Sequence, residues 1–147
     1  MPDPDCPFCR IVAGDDASSV VFEDEISVAF LDHRPLFPGH VLLVPREHHE
    51  AIWDLPEELI GPLFSDAQLL SVAVRDAMRA QGAFVAANNV VSQSVPHFHL
   101  HVVPRVRKDG LRGFFWPRRK YESDEHLAQT ATLVREAIET VRAKGGG

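Results

Sequence analysis

The stretch PHFHLHVVPR, residues 96–105, sets three histidines at alternate positions: His97, His99 and His101, with Phe98, Leu100, Val102 and Val103 between and after them. A strand repeats every two residues. The three imidazoles therefore share one face, at steps of ~7 Å, while Phe98, Leu100 and Val102 take the other and can cover a helix. A neutral imidazole with one nitrogen held and the other free is a nucleophile. His-x-His on a strand is equally a good zinc chelate. On spacing alone, catalysis and metal binding stand level.

Cys6-Pro7-Phe8-Cys9 has the spacing of half a tetrahedral zinc site. A pair of unused thiols on a short helix is a second reading. A redox pair is a third, weakened because no strand precedes it. Other polar groups gather around the histidines in sequence. Gln93 and Ser94 can offer donors just upstream. His40 heads one apolar run and His48 follows its end, while Asp32 ends another run as an acceptor suited to a ribose diol.

The elements that must position these residues follow from apolar periodicity and turn residues. Residues 7–13 read as a short helix ending at Gly14. Residues 19–24 and 26–32 are β-branched or aromatic runs separated by acids, a hairpin pattern. Residues 40–45 form an apolar strand stopped by Pro45. Residues 56–81 read as a helix with Pro56 in its first turn, Asp54 as a possible cap, Pro62 as a possible kink and Gly82 as its stop. Strands follow at 83–89 and 97–103, and an amphipathic helix at 124–143 carries Leu127, Ala131, Val134, Ile138 and Val141 on one face. Runs of strands with helices beside them imply an α+β sandwich on an antiparallel sheet, a single domain over 1–147.

Composition narrows the function. Of 147 residues, 45% are hydrophobic, enough for a packed core. No apolar run reaches the ~18 residues of a membrane span, and the N-terminus carries no secretory pattern, so the expected compartment is the cytoplasm and no membrane partner is expected. The net charge is −6, yet residues 105–120 hold seven basic residues against Asp109 alone, a local +6 that leaves −12 on the rest. An acidic body argues against a nucleic-acid polymer as partner. The basic segment fits a small polyanion such as a nucleotide, or a solvated loop. Within it, GFFWPRRKY (113–121) can stack on a base and meet phosphate, or simply anchor the tail.

The chain resembles the histidine triad (HIT) superfamily, whose signature alternates three histidines with apolar residues. The resemblance rests on QSVPHFHLHVV, on CPFCRIVAG, and on VAFLDHRPLFPGHVLLVPREH, and its core covers about residues 6–105. The nearest branch is the bacterial Hint-like one with an N-terminal CxxC zinc motif. This implies a five-stranded antiparallel sheet, a homodimer and action on purine nucleotides. It implies that His99 attacks the α-phosphorus to give a nucleotidyl-histidine, that His101 contacts phosphate, and that His40 supports the triad. Ser94 and Gln93 match donors near the phosphate and leaving group, Asp32 the ribose acid, and Asn88 (or its neighbour Asn89) a phosphate-side asparagine. Zinc would be structural, held by Cys6, Cys9, His48 and His97, with His49 as the substitute for His48. His33 reads as a loop residue and His126 as a solvated one. The loop before Gln93 is about two residues shorter than in the family and lacks its usual glycine.

The expected activity is hydrolysis or nucleotidyl transfer at the α-phosphate of purine nucleoside phosphoramidates, adenylates or dinucleoside polyphosphates. The rival readings are a nucleotide-binding regulatory or scaffold module with incidental turnover, and a metal-binding protein without catalysis.

Overall fold

The structure, a computed structural model, describes residues 2–111 and 118–145. The chain forms two compact units, Met1–Asp109 and Gly110–Gly147. The first contains α1 (Pro7–Ala13), β1 (Val20–Glu23), β2 (Ser27–Leu31), β3 (Val41–Pro45), a 3-10 turn (Ile52–Asp54), α2 (Glu57–Ala77), β4 (Gly82–Ala86) and β5 (Leu100–Arg105). The five strands make one antiparallel sheet in the order β1-β2-β3-β5-β4. The second unit holds α3 (Asp124–Gly145), no residue of which is buried. Its apolar stripe, with Leu127, Val134, Ile138 and Val141, is exposed. Most of GFFWPRRKY, residues 113–117, lies outside the described residues.

Strand alternation gives the sheet two different faces. On one, Ala29, Val41, Leu43, Leu100 and Val102, with Phe98, meet Leu59, Leu63, Ala67, Leu70 and Val74 of α2. Each of the larger of these side chains, fully buried, contributes ~1.5–3 kcal/mol. On the other face, Val28, Phe30, Leu42 and Val44 pack against Cys6, Phe8 and Cys9. The histidines lie on this second face, under α1 rather than α2. In β5, His101 is paired with Leu42 of β3 on one side and Ala86 of β4 on the other.

Local chemistry explains the boundaries. Cys6 caps α1 by accepting the Cys9 N–H at Sγ (3.3 Å), Pro7 presets the first turn, and Gly14 closes it at φ 83°. The β1–β2 turn is built by Asp24, whose Oδ1 accepts the N–H groups of Ile26 and Ser27 (3.0 and 2.9 Å).

Four sequence expectations need correction. Helix α2 ends at Ala77, not 81, because Arg79 turns to φ 53°; Gly82 opens β4 instead of stopping the helix. Asp54 caps the 3-10 turn, accepting the Ala51 N–H at 3.0 Å, and leaves α2 without a side-chain cap. Pro62 does not break α2, which runs on to Ala77. The last strand starts at Leu100, not His97. Before it, the His97 N–H bonds Val95 O and the Phe98 N–H bonds His49 O, so neither enters the ladder. Pro104 then continues β5 beyond the span paired with β3, where its missing N–H costs no ladder bond on that side.

Gly39, which delivers the chain to His40, adopts φ +95°, and a Cβ there would stand 2.6 Å from Met78 Cγ. Gly39→Ala is expected to lower the unfolding free energy by about 1–3 kcal/mol. Equilibrium denaturation at neutral pH measures it; a change within error would show that Met78 and the loop relax freely.

Candidate functional site

A cavity of about 860 Å³ opens on the α1 face of the sheet. Phe8, Ile11, Phe30 and Leu42 give it an apolar wall, and Asp32, Ser94, His99 and His101 bring polar groups to the same space. The Phe8 ring stands edge-on to both Phe30 (5.3 Å between centroids) and His99 (5.0 Å), so one aromatic residue joins the apolar wall to the histidines. Such a volume, apolar with a few convergent polar groups, suits a small organic ligand.

The hydrogen bonds fix where each imidazole carries its proton. His99 is 3% exposed, and its Nδ1–H donates to the His97 carbonyl at 2.7 Å. The lone pair is therefore on Nε2. Burial lowers the His99 pKa, opposed by the bond to His97 O and by the Asp32 charge. A neutral imidazole with a fixed tautomer is the form that can attack an electrophile.

A second chain of bonds sets His101. The Leu36 N–H donates to His40 Nδ1 (3.1 Å), which obliges the His40 proton to sit on Nε2. That Nε2–H donates to His101 Nδ1 at 2.9 Å. The remaining nitrogen of His101, Nε2, must then carry a proton and is a donor. Its ring lies 5.0 Å from that of His99. Asp32 is held by the Arg34 N–H at Oδ1 (2.9 Å), with Oδ2 3.8 Å from His40 Nε2. Asp32, His40 and His101 also have the spacing of a metal cluster. A cation on His40 Nε2 would need that proton removed and placed on Nδ1, against the Leu36 N–H. We read this group as a proton-ordered chain, not a ligand set.

Burial lowers the His40 pKa against the pull of the Asp32 charge, and burial with repulsion from His99 and His40 pushes His101 down to about 4. So His101 supports its neighbour as a neutral N–H dipole in the free protein. In the unfolded chain both rings take up protons near pH 6.5; folding lowers both pKa values, that of His101 to about 4. Their contribution to stability is present above pH 6.5 and is lost as pH falls toward 4. The melting temperature is expected to drop across that window, less steeply in His101→Asn than in wild type. Parallel curves for the two proteins would refute this account.

Cys6, Cys9, His48 and His97 form a second cluster of potential ligands. Nδ1 of His97 lies 3.4 Å from Cys6 Sγ, 3.5 Å from Cys9 Sγ and 3.2 Å from His48 Nδ1, and Cys9 Sγ is 3.2 Å from His48 Nδ1. A tetrahedral zinc ion with ordinary bond lengths has N···N edges of about 3.3 Å and N···S edges of about 3.6 Å. The four groups fit. His97 Nε2–H donates to Pro45 O at 2.9 Å, so Nδ1 keeps its lone pair for a metal. His49 is elsewhere, against Glu47 at 3.1 Å.

The remaining candidates stand apart from the cavity wall. The Gln93 Nε2 donates to Glu50 O (2.6 Å) and its Oε1 accepts the Val90 N–H (3.3 Å). Asn89 Oδ1 accepts the Ile52 N–H at 2.7 Å, while Asn88 is exposed at the end of β4. These bonds strap a strained loop in which Val90 and Ser92 take φ 71° and 62°. The sequence reading missed the apolar wall, the loop Asp16–Ser19 and His33, all of which line the cavity. Phe8 was legible only as spacing inside CPFC. In the second unit, His126 Nδ1 accepts the Glu122 N–H (3.2 Å).

Comparison with known proteins agrees with this geometry. The family described as HIT domain matches residues 13–108. A Bacillus subtilis protein named Protein hit is 37% identical over 135 residues, covering 90% of this chain and 91% of the relative. The adenosine 5'-monophosphoramidase of Saccharomyces cerevisiae is 32% identical, covering 82% of this chain and 75% of that enzyme. The crystal structure of a zinc-bound histidine triad family protein from Mycobacterium smegmatis superposes with a TM-score of 0.69 at 33% identity, covering 95% of this chain and 97% of that one.

Proposed function

This chain belongs to the HIT domain family, and from that premise we propose that it is a nucleotide hydrolase or nucleotidyl transferase. It acts at the α-phosphate of purine nucleoside phosphoramidates, adenylates or dinucleoside polyphosphates. The observation that carries the reading is the fixed tautomer of His99, whose Nδ1–H is held by the His97 carbonyl. The name of the yeast relative, a monophosphoramidase, supports the phosphoramidate class.

In the proposed reaction the Nε2 lone pair of His99 attacks the α-phosphorus. The bond from phosphorus to the leaving nitrogen or oxygen breaks, and its electron pair leaves with that atom, which takes a proton from solvent through the open cavity. His101 Nε2–H donates to a non-bridging phosphoryl oxygen as negative charge builds there, and Ser94 offers a hydroxyl beside it. Asp32 accepts from the ribose diol. A water then attacks phosphorus and gives a proton to solvent, the P–N bond to His99 breaks, and nucleoside monophosphate departs while the imidazole regains its lone pair. His40 only holds the tautomer of His101. Gln93 and Asn88 are assigned to the nucleotide side through the family resemblance, and reach it only if the strapped loop moves.

Zinc is proposed at Cys6, Cys9, His48 and His97, where it would supply structural cross-linking and no open coordination position. A homodimer is proposed because β4 is an open sheet edge and α2 exposes Ile60, Phe64, Leu69 and Val72. The paired thiols suit the reducing cytoplasm, and no described helix is long and apolar enough to cross a membrane.

The test is to mix the protein with adenosine phosphoramidate, quench with acid, and weigh it intact. An added nucleoside monophosphoryl mass on the wild type is expected. Tight binding of AMP with neither adduct nor turnover on any of the three substrate classes would leave a binding module instead.

A further inference from the structure

The apolar cavity wall ends at the loop after α1, where Asp16, Ala17, Ser18 and Ser19 complete the lining. This loop is fixed. Gly14 caps α1, the Asp15 and Asp16 N–H groups both bond Arg10 O (2.9 and 3.3 Å), and Asp16 Oδ2 accepts from Arg10 Nε at 2.8 Å. The other carboxylate oxygen, Oδ1, has no partner among the described residues. The Asp16 side chain is 45% exposed.

The order of residues along α1 gives the cavity a direction. Phe8 touches His99, Ile11 lies one helical turn further on the same wall, and Asp16 follows the cap. From Phe8 to Ala13 the helix advances about 7.5 Å, close to the long dimension of a purine. A phosphate at His99 and a ribose at Asp32 would leave the base between Phe8, Ile11 and Phe30, with its far edge toward Asp16.

The geometry points to Asp16 as the residue that reads the base edge, with a preference for guanine over adenine. This rests on the nucleotide reading above. An ionised carboxylate only accepts hydrogen bonds. Guanine presents two adjacent donors, N1–H and the N2 amine. Adenine presents one donor, the N6 amine, beside the N1 lone pair, which a carboxylate oxygen repels. A carboxamide reverses this logic, because it pairs one donor and one acceptor with adenine's matching set, as asparagine does with adenine in nucleic-acid recognition.

The test is equilibrium calorimetry of GMP and AMP with wild type, Asp16→Asn and Asp16→Ala, alongside kcat/KM for the two nucleoside phosphoramidates. Hydrogen bonds to a charged group are worth a factor of about 10 or more, and partial exposure holds the estimate at the low end. Wild type is expected to favour guanosine about 10-fold, Asp16→Ala to bind both alike, and Asp16→Asn to favour adenosine. Melting temperatures within a few degrees of wild type would exclude misfolding. Equal binding of GMP and AMP by wild type, unchanged in both variants, overturns the assignment of Asp16 while leaving a nucleotide site in place. Binding of neither nucleotide to the wild type overturns the nucleotide reading itself, and this inference with it.

Discussion

Replacing His99 with alanine is expected to abolish turnover while nucleotide binding persists. The imidazole is buried and neutral, and its tautomer is fixed by the 2.7 Å bond from Nδ1 to the His97 carbonyl. Alanine removes that lone pair, and no other described residue places one there. Loss of a covalent nucleophile costs on the order of 10⁴-fold or more in kcat. The apolar wall of Phe8, Ile11 and Phe30 and the acceptor Asp32 remain, so AMP affinity is expected to change by only a few-fold. His101→Ala removes one donor to the phosphoryl oxygens and is expected to cost about 10²–10³-fold. His40→Ala leaves that donor present but frees its tautomer, so its loss is expected to be smaller than that of His101→Ala. Steady-state kinetics on an adenosine phosphoramidate, with calorimetric AMP binding, gives the whole series. Turnover in His99→Ala within 10-fold of wild type would remove His99 from the nucleophile's role, and a His40→Ala loss equal to that of His99→Ala would break the proposed hierarchy.

The parts of this site that the sequence displays are those with a short period or a short spacing. Alternation placed His97, His99 and His101 opposite Phe98, Leu100 and Val102, and the helix α2 indeed covers that second set. CPFC gave by spacing the two sulfurs of the cluster that could hold a metal, and apolar runs gave all five strands. What was hidden is whatever depends on the exact path of the backbone. A held second nitrogen on His99 was expected, but nothing in the residue pattern says that the carbonyl two residues back will hold it. Nothing local to His40 says that the Leu36 N–H will dictate which of its nitrogens bears a proton. The strand boundary near His97 failed for the same reason: its neighbour Phe98 bonds His49 O, a long-range partner that outweighs the local strand pattern. The ends of α2 were misplaced because Gly82 looks like a helix stop, whereas the turn is made by Arg79 in a conformation its side chain does not favour. Asp16 was invisible because a carboxylate in a polar loop carries no period at all.

Removing one ligand of the sulfur–nitrogen cluster is expected to lower both stability and kcat, because His97 serves two sites at once. Its Nδ1 faces Cys6, Cys9 and His48, its Nε2–H is fixed on Pro45 O, and its carbonyl receives the His99 Nδ1–H. His97 is 0% exposed, so its ring has no solvent to turn into. A bound zinc would clamp the first of these contacts and thereby the third. His48→Ala and Cys9→Ala each take away a candidate ligand while leaving His97 itself in place. Both are expected to take zinc content, measured by elemental mass spectrometry, from about one per chain to near zero. The melting temperature should fall on the order of 10 °C, since loss of a metal is among the larger single-site effects in a domain of this size. The nucleophile would keep its chemistry but lose part of its positioning, so kcat should fall about 10- to 100-fold while KM changes little. His101→Ala and His49→Ala are expected to retain zinc, because Asp32, His40 and His101 form a proton chain and His49 pairs with Glu47. Zinc retained in His48→Ala but lost in His49→Ala would move the fourth ligand by one residue. Zinc lost with kcat intact would separate the two duties of His97 and leave the metal with a purely structural one.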